Sequence, residues 1–215
     1  MKKVINCATY VLLRLVPTLY LLFFLFSLVR DVHQEFDRLD DFNFCLYLDS
    51  FAFALCFIFL GIASMLRVFN ATIKLSDVCK YFASAMAVTY ILTDILNTIT
   101  RIKASYNLGN TPNFFGSYIS LQETFYIMGF LIIIVACFLK DKFYKTKWIL
   151  TILCGLCFLV GLNTNLFWLI KVGTVDDIRF IINHFISVYS FVVTVILGVS
   201  PLKAVKEYNP SQHIS

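Results

Sequence analysis

Acidic and polar side chains recur inside apolar stretches of this sequence, where ionisable groups are costly and often functional. Eight of them are candidates for binding an ion or ligand, or for coupling: Asp49, Asp94, Asn97, Glu123, Tyr126, Asn163, Asn165 and His184. Carboxylates, amides and an imidazole at one depth could hold a cation, relay protons or line the mouth of an ion path.

Helical spacing predicts that several of these side chains face the same way. Tyr90, Asp94, Asn97 and Arg101 follow one another at steps of four and three residues, which places them on one helix face. Asp49 and Glu123 are expected about six residues, or about 9 Å, in from the outer ends of their helices. We therefore predict a polar pocket in the outer leaflet. The alternative is that each side chain reaches interfacial water or bonds between helices.

Basic residues form a second set of candidates, for contact with lipid or with a partner. Arg14 lies in the first apolar stretch, where it is expected to extend toward the cytoplasmic headgroups. A basic run lies between the fourth and fifth stretches: Lys140, Lys142, Lys145 and Lys147. We interpret this run mainly as a determinant of topology that also contacts anionic lipid.

Motifs for catalysis, redox chemistry or metal binding are weak. Cys154 and Cys157 have the spacing of a redox pair, but they lie within an apolar helix, so we interpret them as small packing residues. The three histidines, His33, His184 and His213, are not at ligand spacing. We predict no metal site, no cofactor and no catalytic residue.

Six apolar stretches must position these side chains. Each has about the 20 mostly apolar residues that a transmembrane helix needs. They cover residues 8–29, 43–66, 80–98, 117–139, 148–170 and 177–199, with Ser76 as a predicted N-cap before the third and a short cytoplasmic tail at 200–215. The chain of 215 residues is 60% hydrophobic and 14% charged, against about 25% charged for soluble domains. We predict one all-α domain over 1–215, a polytopic transmembrane bundle of about six helices.

Basic residues at the helix ends predict the orientation. About eleven flank the helices on one side and about six on the other, which places both termini inside. The first stretch follows Lys2 and Lys3 as a signal peptide would, but it is long and contains Arg14. We expect it to remain as the first helix.

Three classes of function remain. The first, which we favour, is a non-enzymatic integral membrane subunit: an oligomeric sensor, channel-like effector or anchor that contacts the lipid bilayer, further copies of itself and a cytoplasmic protein partner. The second is a small transporter or substrate-binding membrane component that uses the outer acidic pocket. The third, an intramembrane enzyme, has the least support because no nucleophile is paired with a base.

The charge pattern and composition bear on partners and location. The basic residues lie at helix ends and not in one patch, so no nucleic-acid partner is expected. The abundance of Phe, Ile, Asn and Lys is typical of AT-rich bacterial genes, which suggests the bacterial inner (cytoplasmic) membrane. Small membrane proteins of that origin often serve in phage defence or bacteriocin immunity.

Overall fold

The computed structural model describes residues 2–35, 41–67, 73–107, 120–172 and 178–200. Side chains are described within 13–33, 47–67, 75–103, 120–140, 142–164 and 181–200. Six α-helices account for nearly all of these residues, and the described ranges contain no strand. The helices are α1 (Lys2–Glu35), α2 (Asp41–Leu66), α3 (Ile73–Asn107), α4 (Leu121–Phe138), α5 (Tyr144–Val172) and α6 (Ile178–Val199).

Every one of these helices is long and apolar enough to cross a membrane. The apolar windows run over Leu13–His33, Tyr47–Leu66, Leu75–Lys103, Leu121–Phe138, Tyr144–Thr164 and Ile181–Val199. The predicted all-α polytopic fold with six membrane-spanning helices is thus confirmed. The orientation with both termini inside stays a prediction.

The helix bounds differ from the predicted ones mainly at polar ends. The third helix was expected over 80–98 but runs from Ile73 to Asn107, because its polar ends continue the helix beyond the apolar window. The prediction that Ser76 caps this helix is wrong. Ser76 lies inside α3, and its hydroxyl donates to the carbonyl oxygen of Ala63 in α2 at 2.9 Å.

The start of the fourth helix, predicted at residue 117, lies at Leu121. Ser120 has an extended backbone and caps the helix. Its hydroxyl accepts a hydrogen bond from the Glu123 backbone, and the Glu123 carboxylate accepts one from the Ser120 backbone. This reciprocal capping box fixes the first turn. Glu123 consequently lies in that first turn and not about six residues into the helix.

The second helix occupies the centre of the bundle. It packs against α1, α3 and α6, while contacts of α3 with α4, α4 with α5, α5 with α6, and α1 with α6 complete the ring.

Seven aromatic side chains fill the middle, and we call them the aromatic core: Phe53, Phe57, Tyr90, Tyr126, Phe130, Phe158 and Phe191.

The rings of the aromatic core interlock. The centroid of the Phe53 ring lies 5.2 Å from that of Phe191 and 5.5 Å from that of Phe130, in both cases nearly edge to face. Phe57 makes the same kind of contact with Phe158 at 4.9 Å. Such geometries are favourable for aromatic pairs. The rings therefore form a close-packed barrier between the two ends of the bundle.

Candidate functional site

Three acids predicted to lie near one another are brought together where α2, α3 and α4 meet. We define the acidic cluster as Asp49 of α2, Asp94, Asn97 and Arg101 of α3, and Glu123 of α4. The carboxyl groups of Asp49, Asp94 and Glu123 lie within electrostatic range of one another, and Arg101 is close enough to attract the first two. The residues of α3 share one face, as their spacing predicts.

Asp49 is only lightly held. The Thr93 hydroxyl lies 3.3 Å from Oδ1 of Asp49. The same hydroxyl lies 2.9 Å from the backbone carbonyls of Thr89 and of Tyr90. A hydroxyl has one proton to donate, and the carbonyls of its own helix are the nearer acceptors. The Asp49 carboxylate therefore keeps most of its capacity to accept further hydrogen bonds or a cation.

Asp94 and Asn97 are the most deeply buried members of the acidic cluster, at 5% and 2% exposed. The side-chain oxygen of Asn97 is buried and accepts no hydrogen bond. Within the part of the chain that the structure describes, no donor bonds the Asp94 carboxyl group either. A buried acceptor without a donor costs about 1–3 kcal/mol. The Asn97 oxygen is such an acceptor, and it lies one turn from the Asp94 carboxyl group on the same helix face, which indicates a place for a donor or cation.

Glu123 helps to hold the start of α4 in place, a role that its predicted position within the helix did not indicate. Its Oε1 accepts from Nη1 of Arg101 at 3.0 Å, and its Oε2 accepts from the Ser120 backbone at 2.7 Å. These bonds fix the start of α4 and attach it to α3. Arg101 is thereby oriented toward Glu123. Three carboxyl groups share one guanidinium, and a carboxylate without a compensating charge is costly at this depth.

The other predicted polar residues do not join the acidic cluster. Tyr126 belongs to the aromatic core: it is buried, stacks on Phe158, and its hydroxyl accepts from Gln122 at 3.0 Å. Asn163 donates to the Leu159 carbonyl of its own helix at 2.7 Å. The side chain of Asn165 lies outside the described residues.

His184 stands apart as well. Its imidazole is half-buried and contacts the ring of Phe185, with the two ring centroids 6.3 Å apart. Its Nε2 atom is buried and makes no hydrogen bond. No described hydrogen bond or ion pair joins it to the acids. Of the eight candidate residues, the structure brings together Asp49, Asp94, Asn97 and Glu123, and the predicted pocket stays a prediction.

The basic candidates divide into two groups. Lys140, Lys142 and Lys145 are exposed, as expected of residues that contact headgroups. Arg14 and Lys147 are buried, and the guanidinium Nε of Arg14 donates to the Ser64 carbonyl at 3.2 Å. The expectation that Arg14 extends to the headgroups is therefore wrong, because the side chain packs between α1 and α2.

The described residues bear on two kinds of chemistry, metal binding and thiol redox chemistry. Among them, no group of three or more His, Cys, Asp or Glu side chains is close enough to hold a metal ion. Cys154 and Cys157 are both free thiols, and Cys154 donates to the Gly129 carbonyl of α4 at 3.3 Å. That hydrogen bond and the burial of Cys154 are what a packing residue shows.

Comparison with protein-family models, with curated proteins and with solved structures finds no match for this chain. The bundle has the acidic cluster at one end, the close-packed aromatic core in the middle, and buried basic side chains at the other end. A bound cation is the chemistry that the first of these features favours.

Proposed function

We propose that the protein is a non-enzymatic integral membrane subunit of the sensor type, and that its external input is a singly charged cation bound by the acidic cluster. The observation that carries this proposal is the buried, unpartnered oxygen of Asn97 on α3, with the Asp94 carboxyl group one turn away. The Asn97 carbonyl accepts no hydrogen bond, and the Asp94 carboxyl beside it has no described donor. Asp49 faces them from α2 and supplies a second carboxylate.

The ligand chemistry follows from the number and type of these oxygens. Calcium prefers six to eight oxygen ligands, and magnesium a complete octahedron. The acidic cluster offers two carboxyl groups and one amide, since Glu123 is engaged by Arg101 and Ser120. This set suits an alkali-metal ion or a primary ammonium group better than a divalent metal.

A sensor fits the interior of the bundle better than a conduit does. The aromatic core fills the space beneath the acidic cluster with buried rings, of which Phe57, Phe130 and Phe158 are fully enclosed. A cation held between Asp49 and Asp94 would draw α2 toward α3. Because α2 also packs on α1 and α6, that movement would reach the opposite end of the bundle.

The subunit part of the proposal concerns assembly and location. Large apolar side chains of α1, such as Phe23 and Phe26, are exposed and can face lipid or a second copy of the chain. We propose a homo-oligomer in the bacterial inner membrane that signals to a cytoplasmic protein. Native mass spectrometry of the gently solubilised protein tests this: a defined oligomer or a co-purified protein supports it, and a clean monomer contradicts it.

Thermal unfolding of the purified protein in nanodiscs tests the cation site. The probes are sodium, potassium, calcium and methylammonium ions at constant ionic strength. A ligand at 100 times its dissociation constant stabilises the folded state by about 2.7 kcal/mol. We expect sodium, potassium or methylammonium to raise the unfolding temperature of the wild type but not that of Asp94→Asn.

The matched control is Asp31→Asn. Asp31 is an acid on α1 whose side chain is 48% exposed and paired with Arg30 at 3.2 Å. This variant should keep the full response. Equal loss in both variants, or no response in the wild type, would contradict the cation site. Transport of the same cation into proteoliposomes, abolished by Asp94→Asn, would contradict the sensor and support a small transporter instead.

A further inference from the structure

Exposed rings and exposed lysines lie together around the turn between α4 and α5. We call them the surface patch, and they come from α3, α4, the turn and α5: Tyr81, Phe138, Lys140, Lys142, Phe143 and Lys145. The rings of Tyr81, Phe138 and Phe143 are 52%, 63% and 49% exposed. Rings favour an apolar surrounding and ammonium groups favour water, so a surface that exposes both suits the boundary between lipid and water.

The turn itself is short and lies between two membrane-spanning helices. The apolar window of α4 ends at Phe138, and that of α5 begins at Tyr144. A single 3₁₀ turn, Asp141–Phe143, lies between them. The backbone N–H of Phe143 donates to the Lys140 carbonyl at 3.0 Å, which closes the turn. Because it joins the ends of two spans so directly, the turn lies at the level of the lipid headgroups.

The rings of the surface patch have neighbours that fit this level. Tyr81 of α3 packs on Phe138 of α4, with the ring centroids 5.4 Å apart. The Lys142 ammonium lies 4.9 Å from the centroid of the Phe143 ring, in a cation–π contact. A ring with an ammonium group beside it can rest on the upper acyl chains while the charge stays among the phosphates.

The surface patch carries a net positive charge. Its three lysines stand against one acid within the turn, Asp141. Asp77, one turn before Tyr81, is paired with Lys80 at 3.1 Å. Lys147 is not a member of the patch, because its side chain is buried. An exposed group of lysines next to a membrane span attracts anionic lipid.

We propose that the surface patch is an anchor selective for anionic phospholipid. The rings of Tyr81, Phe138 and Phe143 lie against the upper acyl chains, and Lys140, Lys142 and Lys145 contact headgroup phosphates. The partner is the bilayer that surrounds the protein, because apolar helices lead away from the turn on both sides. Such an anchor fixes this end of α3, α4 and α5 at one depth. It does not depend on the cation site, and either can exist without the other.

Trp148 is a reporter beside the surface patch. It follows Lys145 by three residues in α5, so the two side chains are neighbours on one helix face. Bromine atoms on a lipid chain quench the fluorescence of an indole that they touch. The parent protein for the test is the full chain with Trp168→Phe, which leaves Trp148 as the one tryptophan. If this variant does not fold, both tryptophans are kept, since the Trp168 signal is common to all variants.

Fluorescence is measured in nanodiscs that contain phosphatidylglycerol and phosphatidylcholine, with either lipid brominated. In the parent protein, brominated phosphatidylglycerol should quench Trp148 more than its share of the mixture accounts for. A lysine near an anionic surface contributes about fivefold to such a preference. Lys142→Gln/Lys145→Gln should therefore lower the preference by about fivefold or more. High salt should weaken the preference of the parent protein.

Phe143→Gln tests the rings without changing a charge. It should reduce the quenching by both brominated lipids, because the turn then lies farther from the acyl chains, whereas Phe143→Leu should retain the quenching. Unchanged quenching in Phe143→Gln would remove the ring from the anchor.

Lys103→Gln is the matched control, since Lys103 is an exposed lysine near the other end of α3. Its lipid preference should stay within about twofold of that of the parent protein. Equal quenching by the two lipids in the parent protein would overturn the anchor. So would an equal loss in Lys103→Gln and in the double variant. If poly-glutamate shifts the Trp148 emission in phosphatidylcholine nanodiscs while phosphatidylglycerol shows no preference, the patch fits an acidic protein segment and the lipid anchor is wrong.

Discussion

Gly161 of α5 allows a close approach between α4 and α5. A Cβ atom at this position would lie 2.7 Å from Cε1 and 2.9 Å from Cδ1 of Tyr126. Carbon atoms pack best at about 3.5–4.0 Å, so the two groups would have to separate by about 0.8 Å or more. The Tyr126 ring cannot yield easily, because it lies between the rings of Phe53 and Phe158.

Gly161→Ala should lower the free energy of unfolding. Gly155→Ala is the control that separates this packing cost from the general effect of replacing glycine by alanine in a helix. Gly155 lies in the interior of the same helix, but a Cβ atom there would meet Ile196 at 3.4 Å and Val192 at 3.9 Å, which are ordinary distances. Alanine is better than glycine in a helix by about 1 kcal/mol, and that gain is common to both variants. Overpacking costs about 1–3 kcal/mol. Gly161→Ala should therefore be less stable than Gly155→Ala by about 1–3 kcal/mol.

The assay is reversible unfolding of both variants in mixed micelles of the same composition, followed by circular dichroism. Gly155→Ala should match the wild type or exceed it slightly, whereas Gly161→Ala should unfold at a lower denaturant fraction. Equal stability of the two variants would refute the α4–α5 packing described here. Lower stability of Gly155→Ala would show that α5 is rotated relative to its neighbours.

Three further predictions concern contacts between helices and can be measured in the same unfolding assay. Ser120→Ala removes one half of the capping box of α4 and should cost about 1 kcal/mol; no cost would argue against a helix start at Leu121. A double-mutant cycle between Arg101→Gln and Glu123→Gln should give a coupling energy of about 0.5–1 kcal/mol, since the pair is partly exposed. A coupling energy of zero would contradict the ion pair between α3 and α4. Ser76→Ala removes a hydroxyl bonded to a carbonyl of α2 and should cost about 1 kcal/mol, whereas a neutral result would argue that this part of α3 does not pack on α2.

Hydropathy predicts the six helices because a membrane-spanning helix must be apolar over its whole hydrocarbon length. Hydropathy alone underestimates the length of helices whose ends are polar. Residues 73–79 and 99–107 continue α3 through hydrogen bonds that polar sequence can make equally well in a helix. Ser76 was therefore placed before the helix, although it lies on a face that packs against α2.

The acidic cluster could be predicted in part from helical spacing. Asp94, Asn97 and Arg101 share a face because four-residue and three-residue steps dictate it. The capping role of Glu123 can also be predicted from the sequence, since Ser120 and Glu123 have the spacing of a capping box. Hydropathy places the start of the helix at residue 117, and with that start Glu123 does not fall in the first turn. That His184 stands apart could not be predicted, because it depends on how α6 is rotated.

The burial of Arg67, Lys80 and Lys147 does not follow from the sequence. Counting flanking charges assigns Arg67, Lys80 and Lys147 to one side of the membrane, but it does not say which side chains point inward. Burial of these three follows from the convergence of α2, α3 and α5, which is a property of the packed bundle. A long basic side chain is compatible with either direction from sequence alone.

Difference infrared spectroscopy tests whether the carboxyl groups of the acidic cluster bind a cation. Spectra of the protein in nanodiscs are recorded before and after sodium, potassium or methylammonium ions are added at constant pH and ionic strength. We predict a change in the carboxylate stretching bands that is absent in Asp49→Asn/Asp94→Asn and present in Asp31→Asn. Identical difference spectra from the wild type and the double variant would contradict it.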